Sequence, residues 1–251
     1  MSAETVFILL VAGLLGGLAN AMAGGATLIT FPAMMAAGLA PIPANASNAL
    51  AVVFGNLMGA WSERRKLPAI DLSMMVALLA SVVGGVLGAL LLLNTSEKVF
   101  VMVVPALIGV ATIIFALSKS IQTWVGKRFG ANSAALRAGL VLPAAIYGGY
   151  FGAGLGVILM SVLSATSAWE LRTANAVKNM MGVLANAGAI AIFVARGMIS
   201  WPETLVMMAA CIVGGFLGGR ALNVISATTM RKAIIVIGAA MTVFYAWRYW
   251  A

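Results

Sequence analysis

Among the residues of this chain, a lysine inside an apolar segment is the clearest candidate for a functional role. Lys178 lies about one turn into the run that begins at Ala174, with Asn175 and Asn179 beside it. Ionisable residues within apolar segments are rare and usually functional, because a charge in a low-dielectric medium is costly. An ammonium group with neighbouring amide donors suits a small anion. The alternative is that Lys178 extends its charge to the membrane interface and contacts no substrate.

Two glycine-rich stretches, Gly16–Gly25 and Gly148–Gly156, could add backbone donors to such a site. Each interior glycine costs a helix about 1 kcal/mol against alanine, so we expect these stretches to be broken hairpins rather than continuous helices. A helix N-terminus aimed into a wet cavity attracts anions through its unpaired N–H groups and its dipole. The alternative is that glycines only permit close helix packing, which we expect at Gly84–Gly88 and Gly214–Gly218.

Polar residues open the segment that follows each glycine-rich stretch, and Asn56 and Asn186 lie deeper in those segments. A buried asparagine must be paired, so hydrogen bonding between helices is one explanation. The other is that amides at matched positions beside a broken hairpin line a site. The candidate substrate-binding residues are Asn20, Gly24, Gly25, Asn45, Ser47, Asn48, Gly152, Gly154, Gly156, Asn175, Lys178 and Asn179.

The types of residue that are missing exclude other kinds of chemistry. The chain has no histidine, and its six acidic residues fall in loops or at segment ends. A cation site or a carboxylate proton relay normally requires an acidic residue at the centre of a span, so a cation-binding pump is disfavoured, as is a metal site. Residues Gly152–Gly156 have no βαβ context and are not a dinucleotide fingerprint. The chain lacks a nucleophilic side chain paired with a general base, so we expect no enzyme activity and no cofactor.

The overall composition requires lipid as the solvent. Of 251 residues, 63% are hydrophobic and 8% are charged, far fewer charges than a soluble domain needs. The net charge of +9 is more typical of cytoplasmic loops facing anionic lipid than of a nucleic-acid-binding protein. The lone Cys211 is expected to be a buried packing residue. The apolar stretch from Val6 follows Glu4 and no basic residue, so we expect it to be part of the mature protein rather than a signal peptide.

The chain contains an internal duplication with a shift of about 130 residues. Two inverted repeats of this kind are typical of secondary transporters. We predict an all-α polytopic membrane protein, in which residues 1–118 form the first repeat, 119–135 a cytoplasmic linker and 136–251 the second repeat. Each repeat is a glycine-broken hairpin followed by three transmembrane helices. The matches are Ala44–Ala46 with Ala174–Ala176, Asn56 with Asn186, and Gly84–Gly88 with Gly214–Gly218.

The distribution of basic residues predicts which side each loop faces. Five passes or partial passes per repeat place the two halves in opposite orientations. Eleven basic residues then lie on one side, which the positive-inside rule makes cytoplasmic, and both termini face outward. Those eleven are Arg64, Arg65, Lys66, Lys119, Lys127, Arg128, Arg137, Arg172, Arg220, Arg231 and Lys232, and only Lys98, Arg196 and Arg248 remain outside.

These same residues resemble the sulfite exporter TauE/SafE family of membrane permeases over essentially the whole chain. The resemblance implies transport of sulfite, an organosulfonate or a similar sulfur-containing anion across the cell inner membrane by a multi-pass protein. The expected partners are the small anion, membrane lipid and, as an alternative to a monomer, a second copy of the chain. It rests on Gly24–Leu28 with Phe31-Pro32, on Pro43–Asn48, on Gly148–Gly156 and on Ala174–Asn179.

One other function stays open on the sequence alone. A structural or assembly protein of the membrane would use the same glycines only for packing and would bind no substrate. An anion permease is expected to have a basic or amide-lined cavity at the membrane midplane, and counterflow of labelled sulfite or sulfonate in proteoliposomes distinguishes the two functions.

Overall fold

The protein is entirely helical where its structure is described. The computed structural model describes residues 1–22, 25–62, 64–129, 134–221 and 227–251. Within these ranges there are eleven α-helices, a 3-10 turn at Arg64–Lys66 and no strand, so the all-α prediction is confirmed. The helices are α1 (Ala3–Met22), α2 (Thr27–Ala36), α3 (Pro41–Ser62), α4 (Leu72–Leu93), α5 (Glu97–Ala116), α6 (Ser118–Phe129), α7 (Ala134–Tyr150), α8 (Leu155–Thr166), α9 (Leu171–Ala195), α10 (Trp201–Ala221) and α11 (Ala227–Trp250).

Many large apolar side chains lie on the outside of the helical bundle. Among the described residues, five helices are long and apolar enough to cross a membrane: α1, α4, α5, α9 and α11. Phe31, Phe100 and Phe193 are buried in the core, whereas Leu72 and Trp247 expose about three quarters of their surface. Large apolar side chains exposed in such numbers require lipid around them. The protein is therefore a multi-pass membrane protein.

The helices α2 and α8 are too short to span a bilayer. They contain 10 and 12 residues, which is about 15 and 18 Å of helix against a hydrocarbon core of about 30 Å. Each packs against the longer helix that precedes it, so α1–α2 and α7–α8 form the two hairpins that the sequence predicted. Positive φ angles occur in both hairpin turns, at Gly25, Gly152 and Gly154. Only glycine adopts this left-handed backbone without strain.

The break in each hairpin is more localised than the glycine content suggests. Gly17 lies inside the regular helix α1, and Gly149 lies inside α7, so those parts of the predicted broken stretches are continuous helix. Their helical geometry is kept because another backbone takes the space of the missing side chain. A β-carbon on Gly17 would collide with the carbonyl group of Cys211, and one on Gly149 would collide with that of Gly85.

The packing role expected for the later glycine pairs is confirmed at three positions. Gly84 and Gly88 of α4 contact the α7 backbone, and Gly214 of α10 contacts the carbonyl group of Leu14 in α1. The side-chain surroundings of Gly218 lie outside the described structure. Cys211 is buried in the same α1–α10 contact, as expected of a packing residue.

The predicted linker is partly a helix. The sequence predicts a cytoplasmic linker at 119–135, and α6 occupies 118–129 in this region and packs against α8. Residues 130–133 lie outside the described structure. The division of the chain into two repeats and a cytoplasmic linker stays a prediction.

The contacts between helices repeat when the two halves of the chain are exchanged. In the predicted duplication, α1 to α5 correspond to α7 to α11. The helix α1 packs on α10 and, correspondingly, α7 packs on α4. The helix α3 packs on its own counterpart α9, and α5 packs on its counterpart α11. This pattern is what a two-fold arrangement of two similar units produces.

The corresponding helices α5 and α11 run in opposite directions. At one end of the α5–α11 pair, the Trp250 Nε1 donates a hydrogen bond to the Met102 carbonyl group at 2.8 Å. At the other end, the Arg231 Nη2 donates to the Ala116 carbonyl group at 2.9 Å. The two helices are therefore antiparallel. The inverted orientation of the repeats stays a prediction, and this geometry supports it.

Candidate functional site

A cavity of about 450 Å³ lies where the two hairpin turns meet α3 and α9. Its polar lining comes from both halves of the chain and is dominated by side-chain amides, with two basic groups. No aspartate or glutamate lines it in the described part of the chain. The polar and charged side chains are Asn20, Thr27, Asn45, Asn48, Asn56, Ser118, Gln122, Arg172, Asn175, Lys178, Asn179 and Asn186.

Ten of the twelve residues singled out in the sequence lie on this cavity. Ser47 does not line it, because its Oγ is fully buried and accepts a hydrogen bond from the Ser200 amide at 3.0 Å. Gly24 lies outside the described residues. The role of these residues in binding stays a prediction. The ten lining residues are Asn20, Gly25, Asn45, Asn48, Gly152, Gly154, Gly156, Asn175, Lys178 and Asn179.

The half-buried Lys178 side chain lies beside the first turn of α8. Its Cδ is 3.8 Å from the point that a β-carbon on Gly156 would occupy. Gly154 precedes the helix in the left-handed conformation, with φ +78°. This separation is an ordinary van der Waals distance, so the lysine stem lies directly against the turn. The ammonium group and the positive end of the α8 dipole therefore act on the same part of the cavity.

The first turn of α8 has a backbone amide that is available to a ligand. The amides of Leu155, Val157 and Ile158 donate to carbonyl groups of Gly152 and Gly154. The Gly156 amide donates to no carbonyl group in the described part of the chain. Such first-turn amides are the donors that bind anions at helix N-termini.

The first hairpin turn reaches the cavity as well. Gly25, Ala26 and Thr27 line it at the start of α2. A β-carbon on Gly25 would contact Phe115 of α5 and Ile234 of α11, so the turn is held between the ends of two other helices. Two helix N-termini, one from each half, thus begin at the wall of a single cavity.

Several lining asparagines also bond to protein groups. The Asn45 Nδ2 donates to the Tyr150 carbonyl group at 2.9 Å, and the Asn20 Nδ2 donates to the Asn56 Oδ1 at 3.1 Å. Asn186 donates to the Gly182 carbonyl group within its own helix. The sequence left two roles open for these asparagines, which were bonding between helices and lining of a cavity. Asn45, Asn20 and Asn56 have both roles.

The cavity opens near the beginning of α9. Arg172 is exposed there, and Ser118 and Gln122 of α6 line the same region. From the sequence, Arg172 is predicted only to lie on the cytoplasmic side and α6 to fall in a linker, so none of the three was predicted to line a site. The spacing of Ser118 and Gln122 was the available signal, because residues four apart share one face of a helix.

The other end of the cavity, where Phe193 lies near the end of α9, is closed by contacts between the two halves. The Asn45–Tyr150 and Ser47–Ser200 hydrogen bonds lie in this region. Phe31 and Phe151 also make an edge-to-face contact there, with ring centroids 5.3 Å apart. Every one of these contacts joins a residue of the first half to a residue of the second.

The chain matches a known protein family over most of its length. The family model described as "Sulfite exporter TauE/SafE" matches residues 9–245. No solved structure matches.

Curated relatives are similar over nearly their full length. The probable membrane transporter protein YfcA of Escherichia coli (strain K12) is 26% identical over 239 residues, which cover 94% of this chain and 87% of the relative. A probable membrane transporter protein of Haemophilus influenzae is 28% identical over 241 residues, covering 95% and 93%. A third, ORF9 of Sinorhizobium sp, is 26% identical over 235 residues, covering 94% and 90%. This chain is thus a membrane transporter rather than an enzyme, and it belongs to the sulfite exporter TauE/SafE family.

Proposed function

We propose that this protein is a secondary transporter that moves a small oxyanion across the inner membrane. The substrate class is sulfite, an organosulfonate or a similar sulfur-containing anion. The observation that supports this most directly is the position of Lys178 beside the first turn of α8, in a cavity lined by amides.

The charges around the cavity favour an anion over a cation or a neutral solute. Lys178 and Arg172 are both basic, and the described lining has no carboxylate to offset them. The positive ends of α2 and α8 add to the same field. An oxyanion also accepts several hydrogen bonds at once, which suits amide groups on opposite walls.

The size of the cavity suits a small anion that keeps part of its hydration. A volume of about 450 Å³ is within the range of small-molecule sites. One water occupies about 30 Å³ in the liquid, so a sulfite-sized ion fits together with several waters. An organic sulfonate would replace some of that water.

The contacts between the halves offer a route for alternating access. The cavity is open at the Arg172 end of α9 and closed at the Phe193 end. Separating Ser47 from Ser200 and Asn45 from Tyr150 would open the closed end, while the first turns of α2 and α8 stay at the cavity. In a duplicated transporter this exchange is rocking of one repeat against the other.

Counterflow in proteoliposomes tests transport itself. Vesicles that contain the purified protein are loaded with unlabelled sulfite and diluted into a trace of ³⁵S-sulfite. We expect transient accumulation of label, competition by methanesulfonate, and no competition by the neutral dimethyl sulfone. No accumulation above protein-free vesicles with sulfite or with a labelled sulfonate would contradict the proposal and favour a non-transporting structural role.

A further inference from the structure

We propose that the same cavity has a second site, which binds a monovalent metal cation such as sodium. The site is formed by the side-chain oxygens of Asn45 and Asn48 at the C-terminal end of α7. This inference rests on the proposed transport function and deepens it, because it names the ion to which anion movement is coupled.

Two buried amide oxygens lack a partner at this point. Asn45 and Asn48 are 2% and 1% exposed, and neither Oδ1 accepts a hydrogen bond in the described part of the chain. The two residues are three apart on α3, so they share a face, and both line the cavity. A buried carbonyl oxygen without a donor is destabilising, which makes a ligand for these two atoms favourable.

The end of α7 brings further oxygens to the same place. The Asn45 Nδ2 binds the carbonyl group of Tyr150, the last residue of that helix, so the Asn45 side chain lies at the helix terminus. In the described part of the chain, the Gly148 and Gly149 carbonyl groups receive no amide from the following turn, because the Phe151 and Gly152 amides both donate to Tyr147 and the Ala153 amide donates to no carbonyl group. A helix C-terminus carries partial negative charge, and carbonyl groups of interrupted helices bind cations in transporters.

The α7–α8 hairpin therefore brings two helix ends of opposite partial charge to one cavity. The C-terminal end of α7 presents oxygens, and the N-terminal end of α8 presents amide hydrogens near Lys178. The duplication adds a correspondence, because Asn48 and Lys178 are 130 residues apart and occupy equivalent positions of the two repeats. One repeat thus places a neutral oxygen ligand where the other places a positive charge.

The ligand set selects the charge of the ion. Every proposed ligand is an uncharged oxygen, and no carboxylate lines the described cavity. Calcium and magnesium sites normally include carboxylates, so a monovalent ion fits better. An amide has no pKa near neutrality, so these oxygens would not hold a proton instead.

The basic groups that face the cavity make cation binding depend on the anion. Lys178 and Arg172 repel a cation, and a bound oxyanion would offset that repulsion. Sulfite should therefore tighten sodium binding, and sodium should tighten sulfite binding by the same factor.

Sodium binding to the purified full-length protein tests the site. We would measure ²²Na⁺ binding in detergent, with choline as the replacement cation, with and without sulfite. The variant Asn48→Leu removes one oxygen at similar volume, and Asn94→Leu removes an exposed amide outside the cavity, whose Nδ2 bonds within its own helix. We expect saturable binding in wild type and in Asn94→Leu, tightened by sulfite, and at least about tenfold weaker binding in Asn48→Leu.

Two results would overturn the cation site. One is the absence of saturable sodium binding, with or without sulfite, in protein that binds sulfite; the proposed anion transport would then still stand. The other is unchanged sodium affinity in monodisperse Asn48→Leu. If that variant does not fold, Asn48→Asp decides the matter, because an added negative charge must strengthen binding at this position, and unaltered affinity contradicts the proposal. Sodium binding without any sulfite binding would instead contradict the anion site.

Discussion

Asn45, Ser47 and Asn48 lie within one turn of α3 and have different surroundings. Asn45 and Asn48 line the cavity, whereas the Ser47 hydroxyl accepts a bond from the segment before α10. The sequence identified all three as polar residues at the start of an apolar segment. It could not assign their direction, because neighbouring helical residues are about 100° apart and the rotation of α3 depends on its packing against α9 and α10.

The Asn20–Asn56 hydrogen bond provides a test of how the two roles of the lining amides combine. We predict that Asn20→Leu and Asn56→Leu each destabilise the protein, and that a double-mutant cycle gives a coupling of about 0.5–1.5 kcal/mol in the free energy of unfolding. The bond lies between the end of α1 and the middle of α3, at 3.1 Å. Unfolding by sodium dodecyl sulfate measures it. Strictly additive effects would show that the bond does not contribute to stability.

At the scale of the helices, the glycines indicated the hairpins correctly but not the position of each break. Gly16 and Gly148 are helical, and the turns occur later, at the glycines with positive φ. From sequence alone, a glycine that admits a neighbouring backbone looks the same as one that adopts a left-handed conformation. The α6 helix was missed for a related reason, since its sequence is polar and the contact with α8 that positions it is distant in sequence.

The α4–α7 contact allows the packing role of glycine to be tested with a matched control. A β-carbon on Gly88 would collide with the Ile146 carbonyl group, whereas one on Gly139 of α7 would meet nothing within 4 Å. We predict that Gly88→Ala lowers the free energy of unfolding by about 1–3 kcal/mol, because backbone cannot move aside easily. Gly139→Ala should leave it unchanged or raise it by up to about 1 kcal/mol through helix propensity.

Thermal unfolding in detergent compares the two alanine variants directly. Equal stability of Gly88→Ala and Gly139→Ala would contradict the close approach of α4 and α7. A loss in both variants would indicate that alanine is tolerated poorly throughout these helices, independently of the contact.

At the scale of the whole molecule, the antiparallel α5–α11 pair and the charge distribution lead to the same topology. The basic residues placed on one side by the sequence include Arg172, Arg231 and the exposed Lys119. If that side is cytoplasmic, the open end of the cavity faces the cytoplasm and the Phe193 end faces outward.

Cysteine accessibility tests this topology. In a Cys211→Ala background, single cysteines at Thr95 and Gly197 should react with a membrane-impermeant maleimide in intact cells. Cysteines at Lys66 and Lys119 should react only after permeabilisation, because the positive-inside rule keeps them in the cytoplasm. Labelling of position 66 or 119 from outside would reverse the assigned orientation.

The affinity of the purified protein for sulfite, measured for Lys178→Met, Lys178→Arg and Lys119→Met, tests the central claim most directly. Lys178 faces the cavity, whereas Lys119 is exposed on α6 and is absent from the lining. Loss of a charge-assisted contact costs about 1.5–3 kcal/mol, so Lys178→Met should weaken binding by roughly ten- to a hundredfold. Lys178→Arg should retain part of the affinity, and Lys119→Met all of it. Wild-type affinity in correctly folded Lys178→Met would contradict the account, because Lys178 would then not hold the anion.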